Sequence, residues 1–150
     1  MTSLGRDLKA HTAAVFASTS TAVTAAGSGD ATEITGASID RLLYEKAESV
    51  VFCVPVRAVL AAAKAITING LIEDSADGSS WATFLATALL LTLTDSGSGS
   101  TLTGVARVGS QINTARRYIR LKCTPDMTAT ATDTAVVGAG VAIFGGLNQL

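Results

Sequence analysis

Charge, cysteine, proline, histidine and aromatic side chains are all scarce in this 150-residue chain. Only 15% of the residues are charged, while 48% are hydrophobic. A soluble domain carries about a quarter charged residues. The surplus apolar surface needs cover, and a subunit interface is the natural place for it. The net charge of -1 leaves no global basic field, so nucleic acid and anionic membranes are not expected partners. The length is that of one domain with a two-layer core.

Two cysteines far apart, Cys53 and Cys123, exclude a disulfide scaffold. Alternation sets Cys123 inward with Ile119 and Leu121. It sets Cys53 on the face opposite Phe52 and Val54. Buried free thiols are expected, which suits assembly in a reducing cytoplasm. The single histidine, His11, stands in a Thr/Ala-rich terminus. No Ser-His-Asp or Cys-His arrangement can be placed on a rigid frame. Two Cys and one His do not make a structural zinc site, and the phosphate-loop motifs are missing. Glu73, Ser75, Asp77 and Gly78 fall at the opening positions of a calcium loop, but the closing acid is replaced by Phe84, so a solvated turn is expected. No enzyme activity, cofactor or metal is expected. The longest uncharged apolar run, 135–147, is Gly-rich and shorter than the ~20 residues of a membrane helix. Arg6 and Lys9 are followed by a stretch broken by polar residues, so no signal peptide is expected.

What is present is strand signal. Lys64 to Phe84 reads as strand, turn and return strand. Ile66, Ile68 and Leu71 are spaced for burial, and Asp77-Gly78 suits the reversal. Trp81 and Phe84 are expected to fold onto the same core. Ser49–Leu60 is the strongest strand, with Val50, Phe52, Val54 and Val56 on one face. Pro55 cannot donate to a ladder, so that strand is at an edge or is bulged there. Leu89–Thr94, Thr101–Val108 and Arg116–Thr124 follow, the last ended by Pro125-Asp126. Seven to nine short strands between Gly/Ser/Asp turns, with no long amphipathic helix, predict an all-β sandwich or barrel.

The final strand, Ala135 to Phe144, is apolar at both parities. Val137, Val141 and Ile143 form one set; Val136, Ala142 and Phe144 form the other. It is either central or faces another subunit. Residues 1–29 read as a poorly structured N-terminal arm before a sandwich at 30–150, with Thr19–Ala26 a weak strand candidate that the Gly27-Ser28-Gly29-Asp30 cluster breaks. Leu4, Leu8 and Phe16 are apolar enough to dock on a neighbour, and a loose terminus is the alternative. Acids dominate 30–48, whereas Arg107, Arg116, Arg117, Arg120 and Lys122 form a basic stripe. Either neighbouring strands of one subunit neutralise each other, or subunits match across an interface. Nucleic acid is a third reading, with Tyr118 the only interleaved aromatic.

Several of these pieces carry a resemblance. They are Ile39-Asp40-Arg41 with Tyr44, the Ser49–Val56 strand, Leu71 to Trp81 with its D-S-x-D-G-S-x-W element, and Arg116 to Lys122 with the Gly/Ala/Val-rich final strand. Together, over about residues 36–145, they resemble the tailed-bacteriophage capsid decoration or cement proteins. The resemblance implies a jelly-roll-like antiparallel β-sandwich, a homotrimer, and a place on the outer capsid surface after assembly in the bacterial host cytoplasm. There it would bridge major capsid proteins by many modest contacts. Leu4, Leu8, Phe16, Arg116, Arg117, Arg120, Val136 and Phe144 are the expected interface residues. Ser75 to Trp81 also resembles the S-x-D-G-x-x-W hairpin of discoidin-like lectin domains, where it is structural and implies no sugar site; a carbohydrate-binding sandwich is the competing class, and no residue supports a host-surface glycan as partner. A tail or head-tail joining protein is a second competitor.

Overall fold

The computed structural model describes residues 12–44, 47–128 and 132–146. The strands are β1 Thr12–Ser18, β2 Thr21–Thr24, β3 Ile34–Thr35, β4 Ile39–Asp40, β5 Ser49–Leu60, β6 Ala65–Ser75, β7 Trp81–Thr94, β8 Ser100–Gln111, β9 Tyr118–Met127, β10 Thr134–Val137 and β11 Gly140–Gly145. A 3₁₀ turn, Arg41–Tyr44, precedes β5. Six strands form one sheet around β5, which pairs with β8 on one edge and with β10 and β11 in succession on the other. β1 and β2 continue that sheet outward. The second sheet runs from β3 and β4 through β9 and β6 to β7. All these strand pairings are antiparallel, and the fold is the expected jelly-roll-like β-sandwich.

Strict alternation builds the core. Val50, Phe52, Val54, Val56, Ala58 and Leu60 point inward from β5. Ile66, Ile68 and Ile72 meet them from β6, with Ile119, Leu121 and Cys123 from β9. Full burial of one such aliphatic side chain stabilises by about 1.5–3 kcal/mol. Burial, with Glu33 nearby, pushes the Cys123 thiol up to about 11, so it acts as a small hydrophobe. Leu71 lies on the outward parity of β6, beside the buried Ile72. Gly104 leaves room on β8 for Leu91 and Leu93 of β7 to pack across the sheets, 3.1 Å from where its Cβ would stand.

Pro55 is accommodated by a bulge, in a strand that is central. Its carbonyl accepts the Gly138 amide at 2.7 Å, but it has no N–H to return. The facing strand breaks there, between β10 and β11. Val137 pairs with Val56 and Val141 with Cys53, so one extra residue is absorbed. The expected single final strand is therefore two, and the extra residue reverses parity between them. Ala135, Val137, Ala142 and Phe144 point inward; Val136, Val141 and Ile143 point outward. The grouping of Val137 with Val141 and Ile143 is thereby corrected. Pro125 does not end β9, which runs to Met127. Its carbonyl accepts the Ala31 amide, and its missing N–H falls on that same edge, just beyond short β3.

The arm expected over 1–29 is corrected for its described part. β1 and β2 are sheet strands, held by ladders to β11 and β10. Their Thr/Ala composition gives little side-chain signal because the ladder is made by the backbone. Leu4, Leu8 and His11 lie outside the described residues.

A side chain at Gly138 would put its Cβ 2.9 Å from Pro55 Cγ and 3.1 Å from Pro55 O. Gly138→Ala is expected to destabilise the fold by about 1–3 kcal/mol, as overpacking does. Urea denaturation tests this; an unchanged midpoint would show that the break does not depend on close approach.

Candidate functional site: the outer face of the six-stranded sheet

The two outward faces differ in chemistry. On the five-stranded sheet, Lys122 Nζ lies 2.6 Å from Glu33 and 3.5 Å from Glu73. Glu73 also pairs with Arg120 at 2.7 Å, and that guanidinium stacks 4.0 Å above the Trp81 ring. Trp81 is thus an outer-face platform for Arg120, not the core residue expected. Arg117 pairs with Asp40 at 2.6 Å and lies over Tyr118 at 4.9 Å. The glutamate hydrogen bond, with the charges of Glu33 and Glu73 behind it, holds the Lys122 ammonium above its ordinary range despite desolvation.

Arg116 grips the buried Asp74. Its Nε and Nη2 donate to Oδ1 at 2.9 and 2.6 Å, and its backbone N–H donates to Oδ2 at 2.8 Å. Burial alone would raise the Asp74 carboxyl, but these hydrogen bonds and the Arg116 charge outweigh it and hold the group below the usual range. Four of the five basic residues of the stripe are therefore neutralised within their own chain. Arg116, Arg117 and Arg120 have partners in their own chain, as the same-subunit reading of the stripe expects. At the hairpin tip, Asp77 accepts the amides of Ser80 and Ser79 at 2.8 and 2.9 Å and the Ser75 hydroxyl at 2.9 Å. That carboxylate organises the turn, with Gly78 at φ +77°.

The six-stranded sheet has an apolar outer face. One row across it reads Phe16, Val141, Cys53, Arg107; the next reads Ala14, Ile143, Val51, Gly109. Further along lie Pro55 beside Val105, Val136 beside Arg57, and Val59. Phe16 is 54% exposed and Val136 43%, with Val51, Val59, Val105, Val141 and Ile143 between 37% and 41%. A depression of about 520 Å³ opens on this face, lined by Pro55, Arg57, Thr103, Val105, Val136 and Gly138 among others. Contiguous apolar surface of this kind marks a contact region.

Of the expected interface residues, Phe16 and Val136 belong to this face. Phe144 does not. It is fully buried, stacked on Tyr44 at 4.6 Å between centroids. The expectation followed from the unbroken strand, in which Phe144 shares a parity with Val136. Val51, Val59 and Val105 are not among the expected interface residues, nor is Pro55, although the two-sided apolar run of β5 is visible in SVVFCVPVRAVL. Leu42 and Leu43, 51% and 76% exposed in the 3₁₀ turn, were also missed. Arg41 holds that turn through the carbonyls of Ile112 and Ala115, and Asp40 caps the Leu42 amide at 3.0 Å.

No family model matches the chain, and no curated protein matches it. Solved structures are similar over most of its length. An infectious bursal disease virus structure, Gt strain, matches 90% of this chain at 12% identity, with a TM-score of 0.49. The PBSX exported protein XepA matches 92% at 16% identity and 0.44. The CBM22-1–GH10 modules of a Clostridium thermocellum xylanase match 94% at 9% identity and 0.36. The chain spans 33%, 38% and 27% of those chains. Likenesses this distant carry no argument about function.

The carboxylates that hold loops also set the acid limit. The Ser100 hydroxyl and the Gly97 and Gly99 amides hold the Asp95 carboxyl at about 2, against an unfolded value of about 3.9. The folded state therefore binds fewer protons. The contribution is complete above the unfolded value and is lost as pH falls through about 2. Asp95→Asn is expected to lower stability at neutral pH and to flatten its decline below about pH 4. Denaturation midpoints at several pH values test this. An acid limb as steep as wild type would remove Asp95 from the account.

Proposed function

We propose that this chain is a non-enzymatic structural protein of a virus particle, a capsid decoration or cement subunit that bridges major capsid proteins and stabilises an icosahedral shell. The observation that carries the reading is the uncovered apolar face centred on Val136, Val141 and Val51, set opposite a face most of whose charges are paired internally. An enzyme concentrates perturbed titratable groups in a cleft. Here the carboxylates held low are spent on turns and ion pairs. The resemblance described for Ile39 to Trp81 and Arg116 to Lys122 supplies the particle, and the apolar face supplies the means of attachment. Contacts repeated by symmetry raise effective concentration, so modest affinity per subunit suffices. A homotrimer fits this reading through interfaces that join two different surfaces, as a ring requires. Bacterial cytoplasm is the proposed place of assembly, and the outer capsid surface the place of action. Glycan binding has less support, because Trp81 already carries Arg120 on its ring.

The test is co-sedimentation with undecorated shells, run beside a glycan array. Val136→Asp with Ile143→Asp places charge on the face without touching the core. It is expected to weaken shell attachment by about tenfold or more, as loss of central contact residues does, with an unchanged circular dichroism spectrum. Glycan binding together with indifference to shells would overturn the proposal.

A further inference from the structure

Among the described residues the apolar face carries two charges, and both are positive. Arg57 extends from β5 between Val136 and Thr103; Arg107 extends from β8 beside Cys53. Both are exposed. Among the described residues neither forms an ion pair, whereas the other stripe cations do. No Asp or Glu stands at an outward position of the sheet's strands. Strand geometry puts the two arginines on the order of 14 Å apart. Pro55 and Val105 lie paired between them, at the wall of the depression.

This pattern selects a partner. Covering the face desolvates both guanidinium groups, and an unpartnered buried cation is costly. A twofold contact of the face with a second copy would bring four arginines together with no carboxylate to receive them. Resting on the docking reading above, we infer that the face takes a different protein, one presenting an apolar protrusion flanked by carboxylates. The protrusion fills the depression between Pro55, Val105 and Val136, and the acids meet Arg57 and Arg107. A bilayer surface is a poorer match, since peripheral membrane faces carry many cations and interfacial aromatics, and this one carries two cations and Phe16.

The experiment selects from a displayed library of random 12-residue peptides on the immobilised full chain, in parallel with Arg57→Glu/Arg107→Glu and with Val136→Asp. Wild type is expected to enrich peptides with apolar residues beside Asp or Glu, bound about tenfold more weakly at high salt. The double reversal is expected to enrich Lys and Arg in their place, and Val136→Asp to lose the selected set. Selection without acidic enrichment, or survival of the same peptides on either variant, overturns the inference. So does a solution mass of two copies that falls to one in Val136→Asp. Binding to phosphatidylglycerol vesicles that the double reversal abolishes overturns it in favour of a membrane. Shell attachment that falls in Val136→Asp/Ile143→Asp but not in the arginine reversal sinks the charge inference alone. Attachment unmoved by either sinks the docking reading as well.

Discussion

Pro55 has no amide hydrogen, and the sheet around it is arranged to live without one. Only half of the two-bond exchange with Gly138 is made. The facing strand gives up its ladder for a residue and resumes it one position out of step. Because side chains alternate with period two, that single residue exchanges inside for outside along everything that follows. Phe144 and Ala142 enter the core, and Val141 and Ile143 emerge beside Val51 and Phe16. The continuous apolar outer face depends on that break.

The other sheet solves the opposite problem. Most of the charged residues on its outward face are matched strand to strand: Glu73 with Arg120 and Lys122, Glu33 with Lys122, Asp40 with Arg117. Exposed pairs of this kind contribute little to stability. Their effect is to leave that face neutral and well hydrated. Asp74 differs, since it is buried and depends on Arg116 to hold it ionised. One molecule thus presents a side rich in matched charge and an apolar side marked by two cations that have no ion pair among the described residues. Such a division suits a subunit that adheres by one face and meets solvent with the other.

The loops are fixed by carboxylates acting as backbone acceptors. Asp30 receives the Ala26 and Met127 amides, Asp133 the Ala61 amide, and Asp95 the Gly97 and Gly99 amides. In a chain with few charges, most acids are committed to turns or to ion pairs. Among the described residues no carboxylate forms an ion pair with Arg57 or Arg107.

The sequence by itself determined the elements whose signal is local. The β5 and β9 alternations, the Asp77-Gly78 reversal and the sandwich class follow from side-chain period and turn chemistry over a few residues. The apolar excess on both parities of β5 and of the last strand was equally legible, and with it the need for an outer cover. Tertiary structure alone decided which residues provide the uncovered face. Parity after Gly138 is set by a proline more than 80 positions earlier, and the stripe arginines are claimed by acids 42 to 77 positions away. β2 falls within the weak strand signal of 19–26, whereas β1 stayed hidden because Thr and Ala carry little pattern; the place of both comes from backbone hydrogen bonds to strands at the far end of the chain. Periodicity is a property of neighbours in sequence; pairing, and so which side of the sheet meets solvent, is a property of neighbours in space.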